Sequence, residues 1–98
     1  MRIGDDRVSR RLNFAGVLII EVDKGSAAEA AGLRSTRIDT KGGVKLGDVI
    51  VAIDGERIET SNDLFNAMEK RTVGETVKVT VMRGETRLSI PVTLQAVR

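Results

Sequence analysis

The sequence predicts one α+β domain, a partly open β-sandwich or barrel of about five to six strands closed by two helices. Three observations predict it. Ninety-eight residues, 41% hydrophobic and 31% charged, suit a single folded domain with a modest core and no disordered tract. Apolar runs of strand character alternate with two stretches that carry helix-capping residues. The connections between them are short and rich in turn formers, with one long exception.

Taken in order, "DDRVSRRL" has the pattern of a short helix, with Asp5 as N-cap and Val8 and Leu12 on one face. "GVLIIEV", residues 16–22, is continuously apolar in its first half and reads as a strand covered on both faces. Gly16 at its leading edge forfeits packing and backbone entropy, which marks either a β-bulge or a close approach to the main chain. In "KGSAAEAAGL", Ser26 and Glu29 form a capping box and Ala27 to Ala31 the helix it starts. Gly32 ends that helix in the left-handed region, and Leu33 folds back on it.

Residues 34–48 form a polar connection with Gly42, Gly43 and Gly47. A surface loop of that length is uncommon unless it has a task. "VIVAI", residues 49–53, is a second buried strand, and Asp54-Gly55 turns it into the short strand "RIE". "SNDLFNAMEKR" is the second helix, capped by Ser61, with Asp63 in its first turn and Lys70 and Arg71 at its end. Its apolar set of Leu64, Phe65, Ala67 and Met68 is wider than one core stripe, so part of it faces something else. "TVKVTVMR" alternates and returns through Gly84-Glu85 into "TRLSIPVTL", a C-terminal hairpin. Pro91 belongs where its missing N–H costs no ladder bond. The core spans residues 10–94 of a single domain covering residues 1–98.

Composition excludes several kinds of chemistry. The chain has no Cys and no His. A Ser-His-Asp triad, a Cys-His dyad and an ordinary zinc site therefore lack their parts, and neither a metal nor a cofactor is expected. Serines and lysines would permit a Ser-Lys dyad in principle, but no pair sits in a recognisable setting. Net charge is +2 with scattered cations and only two Phe, which supplies no stacking platform for nucleic acid. No apolar stretch reaches the ~20 residues of a membrane span, and the charged N-terminus is not a signal peptide.

"FAGV" before a strand, "GSAAEAAGL", "LGDVIVAIDGERI" and the final helix and hairpin together resemble a PDZ domain. The resemblance covers residues 10–94 and is strongest to the PDZ domains of HtrA/Deg-family serine proteases, whose longer loops are similar to the polar one here. It implies no catalytic residues of its own. It implies a module that receives a C-terminal tail, or an extended apolar segment of an unfolded protein, as an added strand. By that resemblance, Phe14, Ala15, Gly16 and Val17 form the loop that holds the tail's carboxylate on backbone N–H groups, with a Cβ-free Gly16 allowing the approach. Arg10 and Arg11 add electrostatic attraction. Val17, Leu18, Ile19 and Ile20 form the strand that pairs with the peptide. Ser61, Phe65 and Met68 line the helix side of the groove, while Leu64 and Ala67 turn inward. Val17 and Ile19 complete the pocket, and Leu18 and Ile20 face the other way. No His starts the second helix, so a preference for Ser or Thr near the peptide's end is not implied. The parent would work in the bacterial periplasm or cell envelope, and its own protease domain is a further partner.

Other readings of the residues remain open. Gly16 fits an ordinary bulge, and Phe65 and Met68 fit a core. An assembly module that uses an open strand edge is one alternative function. A parent of another type is a second: a tail-specific or intramembrane protease, or a secretion component.

Overall fold

The computed structural model describes residues 2–4, 16–38 and 40–94. The helix expected over "DDRVSRRL" and the residues Arg10, Arg11, Phe14 and Ala15 lie outside them. Eight strand segments and two helices follow in the order β1 (Arg2–Ile3), β2 (Val17–Glu21), α1 (Ala27–Ala31), β3 (Arg37–Ile38), β4 (Val44–Lys45), β5 (Val49–Ile53), β6 (Glu56–Arg57), α2 (Ser61–Glu69), β7 (Thr76–Arg83) and β8 (Thr86–Thr93). The main sheet is antiparallel and open, in the order β1-β2-β5-β7-β8, with β6 also paired to β5. The α+β class expected from the sequence is the class observed.

The core is what the apolar runs predict. Val17 and Ile19 of β2, Ile50 and Ile53 of β5, and Val77, Val79 and Val81 of β7 bury one face of the sheet. Leu64 and Ala67 of α2 and Ala28 of α1 close over it. The alternation in β7 places Thr80 and Met82 on the opposite face.

Local chemistry sets the helix ends. The Glu29 N–H donates to Ser26 Oγ at 3.2 Å, while Glu29 Oε1 accepts from the Gly25 N–H at 3.1 Å. At the other end Gly32 adopts φ +86°, its N–H donates to Glu29 O, and the Leu33 N–H reaches back to Ala28 O. Leu33 is thereby buried as expected. The second helix starts one residue earlier than expected. Thr60, not Ser61, is its N-cap: the Asp63 N–H donates to Thr60 Oγ1 at 3.1 Å and Asp63 Oδ2 accepts from the Thr60 N–H at 3.2 Å. An acid at the third helical position selects Thr60 because only that register closes both bonds. Thr60→Ala is expected to cost about 1 kcal/mol, read as a lower urea midpoint at unchanged slope.

Two further differences concern loops. The short strand after the Asp54-Gly55 turn is Glu56–Arg57, not "RIE". Asp54 and Gly55 take φ of +49° and +83°, a turn whose twist brings Glu56 opposite Ile53. The long polar connection is not structureless: β3 and β4 pair within it as a two-stranded arm.

Candidate functional site

Helix α2 has two apolar faces. Leu64 and Ala67 are buried in the core as the spacing predicts, whereas Phe65 is 56% exposed and Met68 half-buried. Leaving a Phe ring in water forgoes most of the gain its burial would bring. Phe65 and Met68 line an apolar groove of about 900 Å³ that runs between α2, Ile3 of β1 and the start of α1. Ser61, one turn before Phe65, is half-buried at the helix's first position and is not among the groove-lining residues.

The edge strand beside this groove is β1. Ile3 stands opposite Ile19, and the Gly4 N–H donates to Leu18 O at 2.8 Å. On the other side Val17 pairs with Ile50, and the Ile19 N–H donates to Asp48 O at 2.9 Å. Strand β2 is therefore a central strand with a neighbour along each edge. Residues 2–4 thus lie along the edge of Val17, Leu18, Ile19 and Ile20 that the resemblance gives to a peptide. Backbone groups alternate along a strand, so with Gly4 bonded inward the N–H and C=O of Ile3 point to the outer edge of β1. Val17 and Ile19 do not line the groove either. They are 1% and 0% exposed and belong to the core, so neither presents surface to a ligand, while Leu18 takes the opposite face as expected.

Gly16 lies against β5. A Cβ at this position, where φ is +139°, would lie 2.8 Å from Ile50 O and 2.7 Å from Val49 Cγ1. The group that comes close to Gly16 is the backbone of β5. Its N–H donates to Glu59 O at 3.3 Å. Strand β5 thus leaves no room for a side chain at Gly16, whose N–H is directed at the Glu59 carbonyl. Ile3 is one of the groove residues that sequence reasoning missed, along with Leu33, Val77 and Leu94. A two-residue strand has no periodicity to detect, and the only available signal is a lone Ile before Gly4 in a charged stretch.

The strongest electrostatic feature lies away from this groove. Asp48 is fully buried between the loop and β5, where Arg83 holds it through Nε to Oδ1 at 2.9 Å and Nη2 to Oδ2 at 2.8 Å. The Arg34 N–H donates to Oδ2 at 3.0 Å, and Arg83 Nη2 also reaches Gly32 O at 3.0 Å. Burial alone raises the Asp48 pKa. The Arg83 hydrogen bonds, the Arg34 amide and the charges of both arginines outweigh it and hold the carboxyl below its usual range. In return Asp48 raises the pKa of Arg83. The pair is a brace, with every oxygen occupied. Among the described residues no group of three or more His, Cys, Asp or Glu side chains could hold a metal, and no helix is long and apolar enough to cross a membrane.

The family model described as "PDZ domain" matches residues 3–94. Among curated proteins the chain is similar to "Protease Do-like 1, chloroplastic" of Arabidopsis thaliana, with 33% identity over 97% of this chain and 22% of the relative. It is also similar to "Putative serine protease HhoA" of Synechocystis, 35% identical over 79% of this chain and 17% of that protein. A third, "Probable periplasmic serine endoprotease DegP-like" of Chlamydia trachomatis, is 37% identical over 81% of the chain and 14% of its own length. These relatives are HtrA/Deg-type serine proteases, and the chain spans less than a quarter of the length of each.

Proposed function

This chain belongs to the PDZ domain family of protein-interaction modules, and from that premise we propose that it binds extended peptides by strand addition along the outer edge of β1, beside α2. The observation that carries the reading is Phe65, an aromatic ring 56% exposed on a capped helix, across an apolar groove from an edge strand. An added strand gains main-chain hydrogen bonds from the groups of Ile3 that face outward, and its alternate side chains reach Phe65 and Met68. Because the groove is lined by Ile3, Phe65 and Met68, the peptide residue it takes is apolar. The ligands are C-terminal tails or exposed segments of unfolded proteins.

The module's setting follows from its relatives. Their names describe serine proteases, so we place this chain as the substrate-presenting or regulatory part of such an enzyme, with no catalysis of its own. Its protease domain is then the natural second partner. The relatives' names place them in the chloroplast and the periplasm, and we assign this module to an extracytoplasmic compartment or an organelle derived from one.

The test is an NMR titration with a peptide ending in a free Val or Leu carboxylate, alongside the same peptide amidated at its C-terminus. Shifts at Ile3, Gly4, Phe65 and Met68 are the expected result, and silence at those residues would overturn the reading. Loss of binding on amidation identifies tails as the ligand, and equal binding identifies internal segments. Phe65→Ala is expected to weaken the peptide roughly tenfold while leaving the unfolding midpoint nearly unchanged, because the ring contributes little to the core. Unchanged affinity in that variant would remove α2 from the site.

A further inference from the structure

A second groove lies on the opposite face of the sheet. Leu18, Val49 and Met82 stand opposite one another across β2, β5 and β7, and the row ends at Arg87 of β8. Cross-strand partners share a face, so this row is an apolar stripe on the side away from the core. Leu18 is buried beneath it, while Val49, Val51 and Met82 are only half-covered. The β3–β4 arm stands over them and leaves a groove of about 1000 Å³ whose wall carries two exposed apolar side chains, Val44 at 61% and Leu46 at 48%.

The rim is cationic. Among the described residues, Arg34, Arg37, Lys45 and Arg83 line the groove, against one carboxylate, Asp48. That carboxylate is fully buried, is paired with Arg83 and also acts on the charge of Arg34, so Arg37 and Lys45 are the rim cations it leaves least compensated. Among the described residues no carboxylate pairs with Arg34, Arg37 or Lys45. The whole chain carries a net charge of only +2, so this rim concentrates positive charge well beyond the molecule's average.

We propose that this outer groove docks an acidic amphipathic protein segment, whose apolar side chains cover Val49, Val51 and Met82 while its carboxylates meet Arg34, Arg37 and Lys45. Charge complementarity selects that occupant over others. A second copy of the chain would bring the same cations face to face. Nucleic acid offers anions but nothing to cover an aliphatic floor, and the groove has no aromatic ring on which a base could stack. A segment with both carboxylates and apolar side chains satisfies rim and floor together. The site is independent of the groove beside Phe65, so one domain can hold two segments at once.

The test uses an acidic amphipathic peptide, a ten-residue alternation of Glu and Leu, acetylated and amidated so that it carries no terminal carboxylate. Two controls accompany it: the same peptide with Lys for every Glu, and an oligothymidylate of equal charge. Amide shifts at residues 44–51 and at Met82 and Arg83, with none at Phe65 and Met68, are expected for the acidic peptide alone. The double variant Arg37→Glu, Lys45→Glu alters two exposed positions that face each other across β3 and β4. It should weaken that peptide roughly tenfold, and binding should fall as salt rises. Equal binding of the Lys peptide, equal binding of the oligonucleotide, shifts confined to α2, or an unchanged affinity in a folded charge-reversal variant would each overturn the proposal.

Discussion

Asp48→Ala is expected to cost about 3 kcal/mol of folding stability, the lower part of the range for orphaning one member of a buried ion pair. The carboxylate is wholly inaccessible, and its removal strands the Arg34 N–H along with two bonds of Arg83. The loss sits at the low end because the Arg83 side chain is 27% exposed and can rehydrate while keeping Gly32 O. The same pair predicts an acid limb in the stability profile. The folded carboxyl titrates below its unfolded value of about 3.9. Its contribution is therefore complete above that value and drains away as pH falls through it toward the folded pKa. Urea unfolding at pH 7 and pH 3 reads both effects. The parent should lose more stability on acidification than Asp48→Asn, in which that group no longer titrates. Equal acid sensitivity in the two proteins would show that the brace contributes nothing to stability.

Gly47→Ala is expected to destabilise by about 3 kcal/mol or more, through contact rather than charge. A Cβ at Gly47 would sit 2.5 Å from Arg34 O and Ser35 C and 2.6 Å from Thr36 N. All three atoms are backbone, and the segment they belong to has little room to give. The Asp48 N–H donates to Arg34 O at 3.0 Å, and the Thr36 N–H donates to Ile19 O at 3.1 Å. Moving the obstacle breaks those bonds; leaving it in place strains the loop. Leu46→Ala, one position away with a half-exposed side chain, is expected to change stability by no more than about 1 kcal/mol. Thermal melts of both variants make the comparison. Similar midpoints would mean that residues 34–36 can yield after all.

What could be read in advance was whatever depends on near neighbours in sequence. The Ser26 and Glu29 cap, the turn at Gly32 that buries Leu33, and the inward set of Leu64 and Ala67 all follow from spacing along one element. The placement of Pro91 on β8, a strand at the end of the sheet order, follows from proline's missing donor. The features that escaped depend on groups distant in sequence. Gly16 looks the same whether a ligand or the Ile50 carbonyl lies against it, and only the fold distinguishes them. The partner of Asp48 is thirty-five residues away, at Arg83. The outer edge of the sheet belongs to β1, a two-residue segment too short to show any periodicity in the sequence.

One tie described above reaches into how such a domain can be altered. The Thr36 hydroxyl donates to Ile19 O at 2.8 Å and accepts from the Gly47 N–H at 3.0 Å. With the reciprocal bonds between Arg34 and Asp48, it clasps the two feet of the long loop to β2 before the arm departs. What lies beyond the clasp, residues 37–46, is then a closed bight whose length matters little. Doubling a flexible loop costs only about 0.6 kcal/mol in closure entropy. The arm is in effect a cassette: an insertion or exchange between Arg37 and Leu46 would leave the core and the α2 groove in register. Evolution, or an engineer, can rewrite Arg37 and Lys45 there while the groove beside α2 keeps its shape.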